Sequence, residues 1–307
     1  MANLRNSVQT GNPPASCVTA SHDPQAINRS YGDDVGERRR AILVGVEGGI
    51  GRAIAHGLAA DGCDLGLTWF RDEAEATATA TELRDLGVAA HLAPLDLNKP
   101  EAAERVLSGL TARLGGLDVL IGSAGYDERT QPGSELASLR RVVDVNLIGM
   151  AAVLLAGAKI LTDQGTGGRV VVVTSVHEHL PLRDGLPYTA AKHGLGGFAK
   201  GLALQLASHG ITVNSVAPGP IATKMTDHEG DDAHLLAHGG VPMNRYGEPA
   251  EVAAVVRFLA SPAASYVTGS SYGVDGGMAL MAQPNGPAGG PSFVERAIAT
   301  VKRNRPQ

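Results

Sequence analysis

Three side chains between residues 170 and 192 have the types and the spacing needed to transfer a proton. Tyr188 and Lys192 are four residues apart, so they lie on one face if this segment is helical. Ser175 precedes Tyr188 by thirteen residues and ends an apolar, β-branched run that is typical of a buried parallel strand. The sequence therefore predicts a serine hydroxyl at the carboxyl end of a strand, facing a phenol at the start of the next helix.

The chemistry open to these groups is proton transfer to or from an alcohol or a carbonyl compound. A free tyrosine has a pKa of about 10, which is too high for a general base at neutral pH. A lysine one helical turn away favours the phenolate, so we predict that Lys192 lowers the pKa of Tyr188. The Ser175 hydroxyl would hold the substrate oxygen beside the phenol. None of these groups carries a hydride, so the arrangement requires a redox cofactor.

The elements that would position these groups alternate between strand and helix from residue 41 onward. Such alternation predicts an α/β fold with a doubly wound parallel sheet of about seven strands, helices on both faces and ligands beyond the carboxyl ends of the strands. The predicted strands cover residues 41–46, 64–69, 88–94, 117–122, a run ending at 175, 211–217 and 271–274. The predicted helices cover residues 50–60, 72–86, 100–114, 136–161, 188–208 and 248–259.

The turn after the first predicted strand is rich in glycine and opens directly into a helix. Its core spacing is G-x-x-x-G-x-G. Glycines permit a tight turn and a close backbone approach, and the amino end of a helix attracts a pyrophosphate. After a strand and before a helix, this turn predicts a dinucleotide site. The residues concerned are Gly45, Glu47, Gly49, Ile50 and Gly51.

These motifs together resemble the short-chain dehydrogenase/reductase family of the single-domain type, from residue 41 to about residue 280. The resemblance implies a Rossmann-like fold and NAD(P)-dependent interconversion of a carbonyl and a secondary alcohol, with Tyr188 as general acid/base. It also implies a catalytic tetrad in which Asn146, within the segment VDVNL, joins Ser175, Tyr188 and Lys192. In that tetrad Lys192 also binds the nicotinamide ribose, and Asn146 supports a water-linked proton relay.

The resemblance further implies cofactor contacts in three segments, each following a predicted strand. The segment after the third strand resembles the contact to adenine, and the segment after the fourth lets the backbone approach the cofactor. The segment after the sixth strand resembles the one that holds the nicotinamide carboxamide. The residues are, in that order, Asp96 and Leu97; Ala124 and Gly125; and Pro218, Gly219, Ile221 and Thr223. The turn Asp275-Gly276-Gly277 resembles the closing turn of the family.

Two places near the predicted cofactor site depart from the pattern of the family. Val44 stands where a threonine is usual. Gly122-Ser123 stand where the family has two asparagines, whose side chains brace the strands around the cofactor. Ala124 and Gly125 still permit the backbone to approach, so we expect the cofactor to bind, but less tightly.

The choice between NAD and NADP depends on the segment after the second predicted strand. Thr68-Trp69-Phe70 offers no carboxylate for the ribose 2′-hydroxyl of NAD. Arg71 could instead pair with the 2′-phosphate of NADP, and Asp72 is predicted to cap the following helix. Glu47 could repel that phosphate or be neutralised by Arg71, but its side chain can swing into solvent. The sequence therefore favours NADP(H), and NAD(H) stays possible.

Two other polar segments border the predicted site. His177 and His179 flank Glu178, but HEHLP lacks the H-E-x-x-H spacing of a zinc site, so we predict a pocket wall and no metal. The segment near 222–247 is polar and contains glycines, which predicts a substrate lid, with a disordered insertion as the alternative.

Composition narrows the class of protein and its partners. The chain has 307 residues, 43% of them hydrophobic, and a net charge of −5 without a basic patch, so no nucleic-acid partner is predicted. Cys17 and Cys63 show neither metal nor disulfide spacing, which favours a reducing, cytoplasmic location. We predict a flexible N-terminal arm over residues 1–37, one catalytic domain over 38–281 and a C-terminal extension over 282–307.

The longest uncharged segment, residues 146–158, is too short to span a bilayer and predicts a buried helix. The resemblance implies that this helix and the one carrying Tyr188 join subunits, so we expect a homo-oligomer, a tetramer or a dimer, and no membrane. The substrate class stays open between a sugar or polyol, a simple ketone and a β-ketoacyl thioester. A non-catalytic dinucleotide-binding regulator on the same fold is the alternative function.

Overall fold

The computed structural model of the chain describes residues 38–128, 135–182, 185–226, 228 and 235–281. Its described residues form the predicted doubly wound α/β fold around a parallel sheet of seven strands in the order β3-β2-β1-β4-β5-β6-β7. The strands are β1 Arg40–Val44, β2 Asp64–Trp69, β3 Ala90–Pro94, β4 Val119–Gly122, β5 Gly168–Val173, β6 Ile211–Pro218 and β7 Ser271–Val274.

Helices cover both faces of the sheet and connect its strands. They are α1 Gly49–Ala60, α2 Glu73–Asp85, α3 Ala102–Leu114, α4 Glu135–Val143, α5 Met150–Gln164, α6 Leu186–Leu206 and α7 Pro249–Ala260. Successive side chains of a strand point to opposite faces, and β1 shows the consequence. Ala41 and Leu43 pack into the core formed with α1, α2 and α7, whereas Ile42 and Val44 pack into the core formed with α3, α5 and α6.

The strand order determines where a ligand can bind. The chain runs outward from β1 to β3 and then crosses to β4 on the other side of β1. The connections that leave the carboxyl ends of β1 and β4 therefore lead to opposite faces of the sheet. In sheets of this kind, ligands usually bind in a crevice at the point where these connections diverge. The residues that could do chemistry follow β1, β4, β5 and β6, so the fold brings them to this edge.

The helix predicted over residues 136–161 is not continuous. A π-helical turn, Asp144–Gly149, separates α4 from α5. Gly149 sits against the backbone of Leu97, where a Cβ would overlap the Leu97 carbonyl oxygen, and the Asn146 side chain binds the backbone of Tyr126. These long-range contacts hold the wider turn, which is a feature that often marks a functional site.

By length and composition alone, the combined helical stretch Glu135–Gln164 is apolar enough to cross a membrane. Met150, Val153, Leu154 and Leu161 are nevertheless fully buried in the core between α3 and the sheet, as in the central helix of a packed domain. The predicted arm at 1–37, the extension at 282–307, Cys17, and residues 227 and 229–234 of the predicted lid lie outside the described residues.

Candidate active site

Ser175 lies just beyond the carboxyl end of a buried strand. β5 ends at Val173, two residues earlier than predicted, because Ser175 caps a short 3-10 helix, Val176–Glu178, instead of continuing the ladder. Its Oγ accepts a hydrogen bond from the backbone N–H of His177 at 3.2 Å. The side chain is 92% buried by area and faces the start of α6, as the sequence predicted.

Tyr188 and Lys192 share one face of the first two turns of α6, which begins at Leu186 with proline in its first turn. The Lys192 Nζ lies 5.4 Å from the centroid of the Tyr188 ring and donates a hydrogen bond to the Val173 carbonyl oxygen at 3.4 Å. Lys192 is buried, with 3% of its surface exposed. The packing thus brings the three predicted groups together at the end of β5.

Burial shifts the pKa values of Tyr188 and Lys192 in opposite directions. Burial raises the pKa of Tyr188 to about 12, although its hydrogen bond with Ser175 acts in the opposite direction. Burial lowers the pKa of Lys192 to about 8, while the charge of Glu178 raises it. Burial therefore sets the direction for Tyr188, and Lys192 is not among the groups that shift this pKa. The predicted lowering by Lys192 stays a prediction. Tyr188 keeps its proton at neutral pH.

The Asn146 side chain holds the loop after β4 through two hydrogen bonds to one residue. Its Oδ1 accepts from the backbone N–H of Tyr126 at 2.9 Å, and its Nδ2 donates to the Tyr126 carbonyl oxygen at 2.6 Å. A Cβ on Gly125 would lie 2.7 Å from this Oδ1 and 3.3 Å from Lys192 Nζ, so Asn146 and Lys192 flank one point of the loop. A proton relay through Asn146 stays a prediction.

The glycine-rich turn forms a cradle that fits a pyrophosphate. Gly45 has a φ of +93°, and a Cβ there would lie 2.7 Å from the Ala124 Cα, so the loops after β1 and β4 touch. A Cβ on Gly51 would overlap the Gly45 carbonyl oxygen. Gly48 is the N-cap of α1, and a Cβ there would meet no atom within 4 Å. The first turn of α1 contains no acidic residue. The exposed amino end of this helix therefore suits a phosphate.

Other groups replace the bracing that the absent asparagines would supply. The backbone N–H of Ser123 donates to the Val44 carbonyl oxygen at 2.9 Å, and the N–H of Gly45 donates to the Thr68 Oγ1 at 3.3 Å. A Cβ on Gly122 would lie 2.6 Å from the sulfur of Met150, so the methionine fills the space beside β4. The crevice is thus held by backbone bonds and packing.

Glu47 does not point into solvent. Its carboxylate accepts hydrogen bonds from three successive backbone N–H groups, those of Phe70 at 2.6 Å, Arg71 at 2.7 Å and Asp72. Three such N–H groups form a concave anion site, and Glu47 fills it from the neighbouring loop. The guanidinium of Arg71 lies 5.6 Å from the Phe70 ring. Asp72 caps α2 as predicted, accepting from the Glu75 N–H at 2.8 Å.

The segment after β6 folds back toward the glycine-rich turn. A Cβ on Gly49 would lie 3.0 Å from the Thr223 Cγ2, and one on Gly219 would lie 2.8 Å from the Asp275 Cα. Ile221 is buried and pairs with Gly247 in an isolated bridge. The predicted contacts after β6 therefore line the same crevice as the phosphate cradle.

The predicted adenine contact lies at the end of β3. Asp96 accepts from the backbone N–H of Asn98 at 3.0 Å, and Leu97 is buried against Gly149 of the π-helical turn.

The His177 ring packs against Tyr188, and the charge of Asp127 acts on both rings. The ring centroids of His177 and Tyr188 are 6.1 Å apart in an edge-to-face arrangement, and the His177 Nδ1 contacts the Leu180 carbonyl oxygen at 3.0 Å. Burial lowers the pKa of His177 and raises the pKa of Asp127. His177 thus lies beside Tyr188, and its role as a pocket wall stays a prediction. Among the described residues, no group of three or more potential ligands could hold a metal ion.

Sequence reasoning missed Asp127 and Glu178. Asp127 follows β4 two residues after Gly125, so its place on the edge of the sheet was a usable signal. In the sequence, Glu178 stood out only because two histidines flank it. In the structure its carboxylate is buried and accepts hydrogen bonds from three hydroxyl groups, those of Thr174, Ser215 and Ser271.

Known proteins are similar to this chain in both sequence and fold. Residues 45–279 match the family model described as enoyl-(acyl carrier protein) reductase. An uncharacterized oxidoreductase, YohF of Escherichia coli (strain K12), is 43% identical over 243 residues, which cover 78% of this chain and 95% of that protein.

Two solved structures illustrate the range of similar folds. Acetoin dehydrogenase YohF from Salmonella typhimurium has a TM-score of 0.76 and 39% identity, covering 83% of this chain and 99% of that one. Carveol dehydrogenase from Mycobacterium avium, in complex with NAD, has a TM-score of 0.73 and 26% identity, covering 79% of this chain and 98% of that one.

Proposed function

The chain belongs to the short-chain dehydrogenase/reductase family, and from that premise we propose that it is a nicotinamide-dependent oxidoreductase interconverting a small carbonyl compound and its secondary alcohol. The observation that carries this proposal is the convergence of Ser175, Tyr188 and Lys192 at the end of β5, beside an open phosphate cradle. A protein that only binds a dinucleotide has no need of a buried hydroxyl facing a buried phenol.

The residues of the crevice would bind three parts of the cofactor: its pyrophosphate, its adenine and its nicotinamide riboside. The amino end of α1 and the turn Gly45–Gly51 would bind the pyrophosphate, and Asp96 and Leu97 the adenine. The loop Ala124–Gly125 and the segment of Pro218, Gly219, Ile221 and Thr223 would border the nicotinamide, with Tyr188 and Lys192 at its ribose. When bound, the cofactor supplies or accepts the hydride that no side chain can carry.

In the reduction direction, the Tyr188 hydroxyl donates its proton to the substrate oxygen as the carbonyl carbon gains a hydride. Ser175 hydrogen-bonds the same oxygen and fixes it beside the phenol. Tyr188 then carries a negative charge, which the Lys192 ammonium stabilises until a proton from water restores the phenol. Burial, which raises the pKa of Tyr188 to about 12, keeps the phenol protonated and ready for this direction. Oxidation of the alcohol runs the same steps in reverse.

For the cofactor, the position of Glu47 favours NAD(H). The N–H groups of Phe70, Arg71 and Asp72 would suit a 2′-phosphate, but the Glu47 carboxylate already binds them. A phosphate at this point would meet a like charge, whereas a ribose hydroxyl could donate to it. The exposed guanidinium of Arg71 is the feature that supports NADP(H) as the second candidate.

For the substrate, we propose a small α-hydroxy ketone or the matching diketone. The support is the similarity to a solved acetoin dehydrogenase, together with the polar His177 ring that packs against Tyr188 and the charge of Asp127 that acts on it. A β-ketoacyl thioester is the second candidate, because a 3-oxoacyl-[acyl-carrier-protein] reductase of Synechocystis is 35% identical to this chain over 242 residues.

The test is a panel of acetoin, diacetyl, a sugar, a simple ketone and a β-ketoacyl thioester, each with NADH and NADPH. Absorbance of the reduced nicotinamide reports turnover. We expect the largest kcat/KM with acetoin or diacetyl and NADH. A preference for the thioester would replace the substrate proposal, and binding of cofactor without any turnover would favour the regulator.

The exposed faces of α5 and α6 support a homo-oligomer. Leu155 and Leu204 are 54% and 85% exposed, and Ile148 of the π-helical turn is 48% exposed. Burying these side chains would favour a dimer or tetramer, which light scattering distinguishes from a monomer. We also propose a cytoplasmic location, because Cys63 is a free, buried thiol, as is usual in proteins of a reducing compartment.

A further inference from the structure

Glu178 is a buried carboxylate to which the proposed reaction gives no role. It ends the 3-10 turn that Ser175 caps, and its backbone N–H donates to the Ser175 carbonyl oxygen at 2.8 Å. Only 5% of the residue is exposed. Removing a carboxylate from water is costly unless its oxygens are well satisfied, so a glutamate at this place calls for an explanation.

Three hydroxyl groups satisfy the carboxylate oxygens. The Thr174 Oγ1 donates to Oε2 at 2.6 Å, the Ser271 Oγ donates to Oε2 at 3.1 Å, and the Ser215 Oγ donates to Oε1 at 3.3 Å. These donors come from the end of β5, from β7 and from β6 respectively. Because a carboxylate accepts hydrogen bonds through both of its oxygens, three hydroxyl donors can satisfy it in the interior. The carboxylate thus ties three strands to the turn that carries Ser175.

Helix α6 is built to accept the same carboxylate. A Cβ on Gly196 would overlap the carboxyl group of Glu178, so the helix approaches it through a glycine. Lys192 is four residues before Gly196 and therefore lies on the same face of α6. Lys200, four residues after Gly196, places its Nζ 3.6 Å from Oε1. The carboxylate sits beside the helix face that bears the catalytic lysine.

The charges around this pair come from few elements. On α6 they are Lys192 and the half-exposed Lys200, and on the turn itself His179, whose Nε2 is 3.9 Å from Oε1. The strands contribute uncharged hydroxyls to Glu178 and the Val173 carbonyl oxygen to Lys192. The carboxylate whose charge acts on Lys192 is that of Glu178, and it opposes the effect of burial.

We propose that Glu178 is a positioning residue of the active site, whose buried negative charge keeps Lys192 protonated and fixes the Ser175 turn against the Lys192 helix. The inference rests on the proposed function, because it concerns the lysine that stabilises the Tyr188 phenolate. Its chemistry is electrostatic: the carboxylate offsets the desolvation of the ammonium, so the cation is in place before any substrate arrives.

A pH profile separates this role from a purely structural one. Glu178→Gln keeps the shape and removes the charge, so Lys192 should lose its proton at lower pH. We expect the alkaline limb of kcat for alcohol oxidation to move down by about one pH unit, with about tenfold lower kcat above that limb. Ser215→Ala, the matched control, removes one hydrogen bond but no charge and should leave the limb unmoved.

A second variant should shift the limb in the opposite direction. Lys200 is half exposed and competes with Lys192 for the same carboxylate, so Lys200→Met should strengthen the action of Glu178 on Lys192. We expect its alkaline limb to move up by a few tenths of a pH unit. Because a surface lysine is seldom needed for folding, this variant remains informative if Glu178→Gln does not fold. Equal loss of kcat at every pH in Glu178→Gln, or no upward shift in Lys200→Met, would overturn the proposal.

A stability measurement keeps this proposal distinct from the reaction itself. The pKa of Lys192 is about 8 when folded against 10.5 when unfolded, so between these values the unfolded chain binds more protons and stability rises with pH. In Glu178→Gln the rise should begin at lower pH than in the wild type, as thermal unfolding across a pH series would show. An earlier rise without turnover of any substrate supports the link between Glu178 and Lys192 while refuting the reaction. Normal turnover with an unchanged onset refutes the link alone.

Discussion

Two glutamates on opposite sides of the crevice each accept three hydrogen bonds, yet their surroundings differ. Glu47, in the turn after β1, binds backbone N–H groups of a surface loop. Glu178, in the turn after β5, binds side-chain hydroxyls in the interior. Both groups are carboxylates, so their different effects arise from the dielectric constant of their surroundings, which is high at the surface and low in the interior.

Solvent weakens the field of Glu47, so its charge matters mainly to an anion brought into direct contact, such as a 2′-phosphate. The field of Glu178 is little screened and reaches the buried ammonium of Lys192. One carboxylate should therefore govern cofactor choice, and the other proton transfer. Variants in each region should change one of these measurements and leave the other alone.

The largest effect is expected at the centre of the proton-transfer region. Tyr188→Phe keeps the ring that packs against Lys192 and His177 but removes the proton donor. We expect turnover to fall by about 10²- to 10⁴-fold, the usual contribution of a general acid or base, with the cofactor Kd within about twofold of wild type. Stopped-flow turnover and a fluorescence titration of NADH measure the two quantities.

The matched control for this variant is Tyr266→Phe. Tyr266 is 99% exposed, so loss of its hydroxyl should change neither quantity. Near-normal turnover of Tyr188→Phe would mean that another group supplies the proton. The region around Glu178 could then no longer be assigned to proton transfer.

The next effect tests the space around Glu178. Gly196→Ala forces a methyl group onto the Glu178 carboxylate, and overpacking of this kind costs about 1–3 kcal/mol. We expect a lower free energy of unfolding and a lower kcat, because the Ser175 turn must shift away from α6. The cofactor Kd should not change, because the phosphate cradle lies on the other side of the crevice.

Gly197→Ala is the matched control in the next position of the same helix. A Cβ there would meet nothing within 4 Å, and alanine is the better helix former by about 1 kcal/mol. This variant should unfold at a higher denaturant concentration than the wild type and keep its kcat. If Gly196→Ala and Gly197→Ala had the same free energy of unfolding and the same kcat, the close contact between α6 and Glu178 would contribute nothing to stability or turnover.

The features that depend on local periodicity could be predicted from the sequence. Strands β2 and β7 begin and end at the predicted residues, and the alternation of strand and helix was sufficient to identify the parallel sheet. The shared helix face of Tyr188 and Lys192 follows from a four-residue spacing in the same way. Helix α2 also starts at the predicted cap, Asp72.

The features that depend on contacts between distant residues could not be predicted from the sequence. The π-helical turn is held by Asn146 bonding to Tyr126, twenty residues away, and Glu47 bonds to a loop more than twenty residues away. The pKa of Tyr188 depends on how completely the fold removes its hydroxyl from water, which a spacing does not reveal. The same is true of Glu178, because its burial arises only when β6 and β7 are assembled.

The smallest effect is expected at Glu47 and concerns cofactor choice. Wild type should bind NAD(H) more tightly than NADP(H), because the Glu47 carboxylate occupies the N–H groups that would receive a 2′-phosphate. Glu47→Ala frees these N–H groups beside Arg71, so NADPH should bind better and NADH slightly worse. We expect the ratio of the two Kd values to change by about tenfold, or about 1.4 kcal/mol, in calorimetric titrations.

Glu73→Ala removes the same charge from an exposed position in the first turn of α2, a few residues beyond the loop that Glu47 binds. This control should leave the ratio of Kd values nearly unchanged, because the effect of Glu47 comes from direct occupation of the N–H groups and not from general acidity of the region. A wild type that already binds NADPH tenfold more tightly would show that Arg71 prevails and that the Glu47 carboxylate moves aside for the phosphate. The turnover of Glu47→Ala with saturating NADH should equal that of the wild type, since the Glu178 side of the crevice is untouched.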